Sequence, residues 1–524
     1  MAKSHHIQLV WFKRDLRLED HAALCQAAAA GPVLCVYTYE PSLIAADEYH
    51  PAHLHFINEC LAELRQGLRR LGGDLLLLRG ELPEAFARLH AIHPFEAIWA
   101  HEETGNGATY ARDRRVAAWC REREVAFQEL PQNGVIRRLK NRDGWAEQWR
   151  RRMAAPRARL PERVAFEPVA DYGALAMAGE FGLELEDLPE RQRGGMSAAR
   201  ETLGSFLAVR GVDYRRAMSS PVTAFDSCSR LSTYLAYGAI SHRTVHQATE
   251  EQRREVGELL RANAPVDRRW AGSLSSFAGR LRWHCHFMQK LEDEPSIEHR
   301  NFARTLDGLR EDDFNEERFQ AWCAGRTGYP MIDACMRAVH RHGWINFRMR
   351  AMLASFSAYH LWLHWRRPAV YLGRWFLDFE PGIHYSQFQM QSGTTAINTI
   401  RIYSPAKQVI DHDPTGVFIR RYVPELAEVP DKYLAEPHRM PRSVQEKAGC
   451  LIGHDYAAPI VDHATAYKEA RARLGAWRKA HGTWQEAQTI QKRHGSRRRP
   501  GDAPAAKRPR KPAVEEPDLF GPEL

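Results

Sequence analysis

No two of the nine cysteines in this 524-residue chain form a Cys-x-x-Cys pair; they are scattered from Cys25 to Cys450. That scatter argues against a disulfide framework, a zinc ribbon or an iron–sulfur cluster, and it fits a reducing, cytoplasmic compartment. No apolar run is long enough to span a bilayer, and the opening MAKSHHIQLVWF has too brief an apolar stretch for a signal peptide. No G-x-G-x-x-G follows the first strand-like segment, so the usual dinucleotide fingerprint is missing. No internal repeat and no catalytic triad is apparent.

What is present is a chain too long for one core, with the hydrophobic (44%) and charged (27%) content of a globular protein. The formal charge of +9 is unevenly spread: Lys492 to Leu524 carry nine Lys/Arg against five Asp/Glu. A basic body with a basic tail fits a polyanionic partner. Strand-like runs at Ile7–Phe12, Val33–Tyr39, Asp74–Leu78, Ala97–Ala100 and Ala126–Leu130 alternate with helical periodicity at His53–Leu71, Leu82–His93 and Thr109–Glu124. This alternation predicts a doubly wound parallel five-stranded sheet over residues 5–131. A connector follows over 132–205, then an all-helical unit over 206–480, with a basic, disordered tail at 490–524.

The connector holds ten Arg/Lys between Arg137 and Arg163, which read either as a solvated wrapping or as a rim facing phosphates. Asp226 to Ser232 is a short polar run before LSTYLAYGAIS, the pattern of a helix N-terminus that is either simply capped or open to an anion. In Arg280-Leu-Arg-Trp-His-Cys-His286, positions i and i+2 of a helix face apart, so His284 and His286 cannot share a metal ion, and no metal is expected. Trp283 on that basic helix fits either a core or a base-stacking platform. From Arg326 to Pro405 four of the fourteen tryptophans sit among Arg348, Arg350, Asp378, Glu380 and His384. Asn346, Arg350 and Ala354 share one helical line beside an apolar arc, and a charged Arg350 there needs an acidic or phosphate partner.

Together LVWFKRDLRLEDHAAL, SRLSTYLAYGAIS, TGYPMIDACMRAV, GWINFRMRAMLASF and RIYSP resemble, in order, segments of the photolyase/cryptochrome family over about residues 7–480. The resemblance implies an α/β antenna domain followed by an all-helical domain holding FAD. It assigns cofactor contacts to Tyr214, Cys228, Ser229, Arg230, Leu231, Ser232, Arg350, Asp378, Phe379, Glu380 and His384. DNA contacts fall to Arg280, Trp283, Phe347, Arg348 and Met390. Catalysis falls to Trp283, Arg350, Asp378 and His384, with Trp365 in electron transfer. Phe388 occupies the electron-relay place nearest the flavin, so photoreduction takes another route, with Trp344, Trp362 and Tyr385 as candidates. Phe347 and Ala351 replace the paired histidines of (6-4) photoproduct repair. The DFEPGIHYSQFQMQSG segment marks a divergent, bacterial branch. The implied activity is a deoxyribodipyrimidine photo-lyase, a monomer acting on UV-damaged DNA. The alternatives are a cryptochrome-like blue-light receptor and a (6-4) photolyase. A second antenna chromophore (a folate, a deazaflavin or another flavin) is possible.

Overall fold

The computed structural model describes residues 6–184 and 187–495. Its first part is a five-stranded, all-parallel sheet in the order β3-β2-β1-β4-β5, formed by β1 Ile7–Phe12, β2 Val33–Tyr39, β3 Leu75–Arg79, β4 Phe95–His101 and β5 Ala126–Leu130. Every residue of the central β1 is buried, which is why IQLVWF is a continuous apolar run rather than an alternating one. The helices α1 Ala22–Ala30 and α2 Pro51–Arg70 cover Val10 and Phe12 on one face; α3 Glu84–Ile92 and α4 Gly107–Glu122 cover Leu9 and Trp11 on the other. The sheet is therefore doubly wound, as the strand–helix alternation implied.

Local departures have local causes. Strand β3 starts one residue later than its sequence pattern, because Asp74 is an anchor: its carboxylate takes Arg65 and Arg69 at 2.9 Å each and receives the Leu75 amide at 2.7 Å. Helix α1 is absent from the sequence reading; AALCQAAAA has high helix propensity but no polar face to create a period.

Beyond β5 the chain is helical. Helix α5 Trp145–Ala154 buries Trp145 and Trp149 against the body, and α6 Met196–Ala208 begins inside the stretch read as a connector and runs past its end at 205. Of the connector's basic residues, Arg142 is buried 2.8 Å from Asp293 and Arg137 donates to the Glu103 carbonyl at 2.7 Å, so these hold the chain together instead of facing outward. Arg150, Arg151, Arg157, Arg159 and Arg163 are exposed. Within the basic tail, residues 490–494 are the end of a helix, Thr483–His494, and not disordered; 496–524 lie outside the described residues.

Three long helices frame the centre: α7 Arg269–Asp293, α8 Phe347–Ser355 and α9 Pro381–Ser392. Gly382 is what lets α9 approach α7, since a Cβ there would stand 2.6 Å from the Met288 Cα. The face of the sheet carrying α1 and α2 continues into the helical core through Phe206, Tyr234, Tyr237 and Phe277. Among the described residues no helix is long and apolar enough to cross a membrane, and none of the nine cysteines is paired.

Candidate functional site

A cavity of about 310 Å³ opens between α7, α8 and α9, with the segment Cys228–Ser232 and the loop Phe376–Glu380 as its remaining walls. The Arg350–Asp378 pair is part of its lining. The guanidinium meets the carboxylate through two parallel hydrogen bonds of 2.9 Å, and its Nε donates to the Ile345 carbonyl at 2.8 Å. The Phe376 ring lies 4.0 Å from the guanidinium carbon and fixes its plane. This is the acidic partner that a charged residue beside an apolar arc requires. Burial drives the Asp378 carboxyl up, but Arg350, the Ser232 hydroxyl and Arg230 outweigh it and hold the carboxyl below its ordinary 3.8.

Arg230 forms the second wall in an unusual backbone state. Its φ of +59° is left-handed, which costs a non-glycine residue roughly 1–2 kcal/mol. The geometry is held by its stack on Trp344, 3.8 Å from ring centre to guanidinium carbon, and by Gln192, whose amide donates to the Arg230 carbonyl at 2.9 Å. Burial brings its pKa down to about 10, still charged at neutral pH. The same turn reverses the alternation of its neighbours. Cys228, Ser229 and Ser232 reach the cavity, whereas Leu231 points into the core at 1% exposure and is no cavity residue.

Opposite, burial would discharge His284, but the Glu380 carboxylate at 3.0 Å raises its pKa to about 10 and keeps it an imidazolium. His286 instead packs on Trp145 and Trp283. The donor atoms of His242, His284 and Cys285 lie within 4.8 Å of one another, a grouping the sequence reading did not contain. His384 behaves differently. Burial lowers its pKa to about 4, so the ring is neutral, and Nε2 sits 2.7 Å from the Ala369 carbonyl. A carbonyl only accepts, so Nε2 carries the proton and Nδ1 is left as an acceptor.

Trp283 stacks on Phe287 at 5.3 Å between centroids, and Arg280, Phe347 and Arg348 line the same cavity. Tyr214 and Phe379 also line the cavity. Met390 does not. The cavity stripe of α9 runs Glu380, Ile383, His384, Gln387, Phe388 and Gln391, and position 390 falls off that helical line. Trp365 lies behind the wall: fully buried, it donates its indole N–H to the Asn301 side chain at 2.7 Å.

The lining is suited to a large anionic heterocycle. Four arginines and the protonated His284 face two carboxylates, Asp378 and Glu380. Several lining polar atoms are buried without a hydrogen-bond partner among the described residues: Arg230 Nη1, Asn346 Oδ1, and both amide atoms of Gln387. A buried amide left unmatched costs roughly 1–3 kcal/mol. Such atoms at one cavity are the mark of a ligand's place, and their mix of donors and acceptors fits the phosphates and the ring edge of FAD. Gln387 and Gln391 went unnamed in the sequence, though extending the i, i+3, i+4 line from Glu380 reaches both.

A second cavity, about 180 Å³, lies at the carboxyl ends of β1 and β2, where open parallel sheets bind ligands. Arg112 is there already matched by Glu40 at 2.9 Å and Glu103 at 2.6 Å, while Glu40 Oε2 and Thr38 Oγ1 are buried without hydrogen-bond partners among the described residues. An orphaned carboxylate oxygen suits a ligand that presents N–H groups. Phe379 lines both cavities.

Comparison with known proteins bears on both halves. A family model described as DNA photolyase matches residues 8–141, and one described as the FAD binding domain of DNA photolyase matches 277–476. The chain is 30% identical to a deoxyribodipyrimidine photo-lyase of Streptomyces griseus, covering 89% of this chain and 98% of that one. It superposes on a bacterial class III photolyase from Agrobacterium tumefaciens with a TM-score of 0.78 at 26% identity, over 91% of this chain and 99% of that one. An archaeal photolyase from Sulfolobus tokodaii, solved with two FAD molecules, shares the fold at a TM-score of 0.73 and 24% identity, over 90% of this chain and the whole of that one.

Proposed function

The chain belongs to the DNA photolyase and cryptochrome family, and from that premise we propose that it is a light-driven deoxyribodipyrimidine photo-lyase splitting cyclobutane pyrimidine dimers in DNA. The observation that carries the reading is one cavity with two chemistries. A bidentate Arg–Asp pair, orphaned polar atoms, a stacked Trp283–Phe287 pair and the arginines Arg280 and Arg348 all line it.

Bound reduced FAD supplies the electron that, after absorption of blue or near-ultraviolet light, opens the dimer's ring and is then taken back. Everything else belongs to the chain. Arg230, Ser229, Ser232 and Tyr214 hold the diphosphate side, while Arg350 and Asp378, fixed to each other, orient the ring system. Glu380 keeps His284 charged beside it. Neutral His384 would offer an acceptor at Nδ1 to a bound ring that presents an N–H. Trp283 and Phe287 stack the flipped pyrimidines, whose weakened stacking in the duplex lowers the cost of extrusion. Arg280 and Arg348 take phosphates without reading sequence. The apolar wall of Phe347, Phe287 and Ile383 keeps water from the reacting bases.

The second cavity is our proposed seat for an antenna chromophore with ring N–H groups. The division into units at 5–131 and 206–480, the monomeric state and a cytoplasmic location are part of the same proposal. The deciding experiment is an absorption spectrum of the purified protein, followed by light and dark incubation with DNA carrying defined dimers. Light-dependent loss of dimers is expected. Flavin without repair, together with light-dependent protease sensitivity, would favour a receptor instead, and loss of (6-4) products alone would redirect the substrate.

A further inference from the structure

A flavin that works in its reduced form must be reduced in place, and the aromatic rings near the cavity differ in how readily they give up an electron. Phe388, on the cavity wall, cannot do so. Arg230 lies 3.8 Å from the Trp344 ring centre; Arg310 and Arg473 lie 4.5 and 5.2 Å from that of Trp362. A cation on a ring face opposes making that ring positive. Tyr385 stands apart. Its hydroxyl donates to the Glu48 carboxylate, and Arg366, 5.0 Å from the ring, is itself balanced by Glu48 at 3.7 Å. The buried Tyr385 ring is 5.7 Å from His384 and 6.0 Å from Phe379, both cavity residues, and 6.1 Å from Trp365 on its far side. Glu48 lines the second cavity, which gives a proton a way out.

We infer that Tyr385, with Glu48 as its proton acceptor, is the side chain that reduces the flavin in this protein; the inference rests on the flavin reading above. One electron leaves the Tyr385 ring for the photoexcited oxidised flavin as the phenol O–H bond breaks and its proton passes to Glu48. A neutral phenoxyl radical and a protonated carboxyl remain. Glu48 then returns the proton as an external thiolate supplies the replacing electron and leaves as a thiyl radical, restoring the phenol. A second photon and a second such cycle deliver the second electron that full reduction requires. Burial, reinforced by Glu48, pushes the phenol's pKa upward, so the proton leaves only with the electron.

The test uses the full-length protein with oxidised flavin, illuminated with a thiol present. Bleaching of the oxidised flavin is followed in wild type, Tyr385→Phe and Glu48→Gln, and radicals trapped at low temperature are read by electron paramagnetic resonance with and without ring-deuterated tyrosine. Both variants should bleach about tenfold more slowly or less, a barrier rise of about 1.4 kcal/mol, yet reduce normally with dithionite. Deuteration should collapse the hyperfine pattern of the wild-type radical. Bleaching at the wild-type rate in both variants, or a radical untouched by tyrosine deuteration, overturns the inference alone. Protein that purifies without flavin overturns the functional reading with it. If Tyr385→Phe loses its flavin, Glu48→Gln and the isotope measurement decide.

Discussion

Replacing Asp378 by asparagine removes one charge and almost no volume, so its effect isolates the pair. In the native site two carboxylate oxygens each accept a 2.9 Å hydrogen bond from Arg350. Asparagine keeps one acceptor and turns an NH₂ toward a guanidinium N–H, leaving Arg350 without its counter-charge. Breaking a buried pair this way costs about 3–5 kcal/mol; the Arg350 side chain is 22% exposed, so the lower part of that range or slightly less, about 2–3 kcal/mol, applies. The midpoint of thermal unfolding should fall by about 2–3 °C, and flavin per mole of protein should drop after gel filtration. Removing both partners in Arg350→Met/Asp378→Leu should restore most of the stability but not the flavin, because paired apolar replacements avoid the unmatched charge. The pH dependence has a fixed sign. A carboxyl held below 3.8 stabilises fully above that value and loses its contribution as pH falls through the lower folded value, and Asp378→Asn should flatten that acid limb. Unchanged melting and full flavin content in Asp378→Asn would refute the reasoning.

His284, raised to about 10 by Glu380, contributes stability that is complete below the ordinary 6.5 and disappears as pH rises through 10; Glu380→Gln should remove this alkaline slope from the melting curve. Gln387→Leu deletes a buried amide with no hydrogen-bond partner among the described residues, so the flavin-free protein should be as stable or more stable, by up to about 1 kcal/mol, while flavin retention falls. Trp283→Ala should weaken binding to dimer-containing DNA by about 1–3 kcal/mol, the worth of one stacked base, and leave affinity for undamaged duplex nearly unchanged in a titration.

How far the sequence could be read follows from the range of the interactions. Strands and amphipathic helices announce themselves within a few residues, so β1, β2, β5 and α2 were legible, while α1, an alanine run with no polar face, was not. At the site, Arg350 signalled its need for a partner, but nothing local names Asp378, 28 positions on; only resemblance to a family reached it. That Leu231 lies off the cavity traces to Arg230, whose left-handed φ no composition rule assigns to an arginine. Met390 lies off it by register, since one helical phase for α9 leaves it out and admits Gln387 and Gln391. Tyr385 and Glu48, 337 positions apart, meet only because the helical and α/β parts pack together.

That packing reaches the cavity through one side chain outside it. Arg14, in the turn after β1, donates from Nε to the Ala236 carbonyl at 2.8 Å and from Nη2 to the Phe379 carbonyl at 2.6 Å. Ala236 ends the short helix that Ser232 begins, and Phe379 sits between Asp378 and Glu380, so a single guanidinium ties two opposite walls. The approach is close enough that Gly238, at φ +64°, has no room for a Cβ, which would fall 2.3 Å from the Arg14 carbonyl oxygen. The Leu16 backbone N–H donates to the Tyr237 carbonyl at 3.1 Å, and the Arg17 side chain donates from Nη1 to the Gly238 carbonyl at 3.1 Å. The α/β part therefore does more than carry a second cavity. Its first turn links the short helix that Ser232 begins to the loop that carries Asp378 and Glu380.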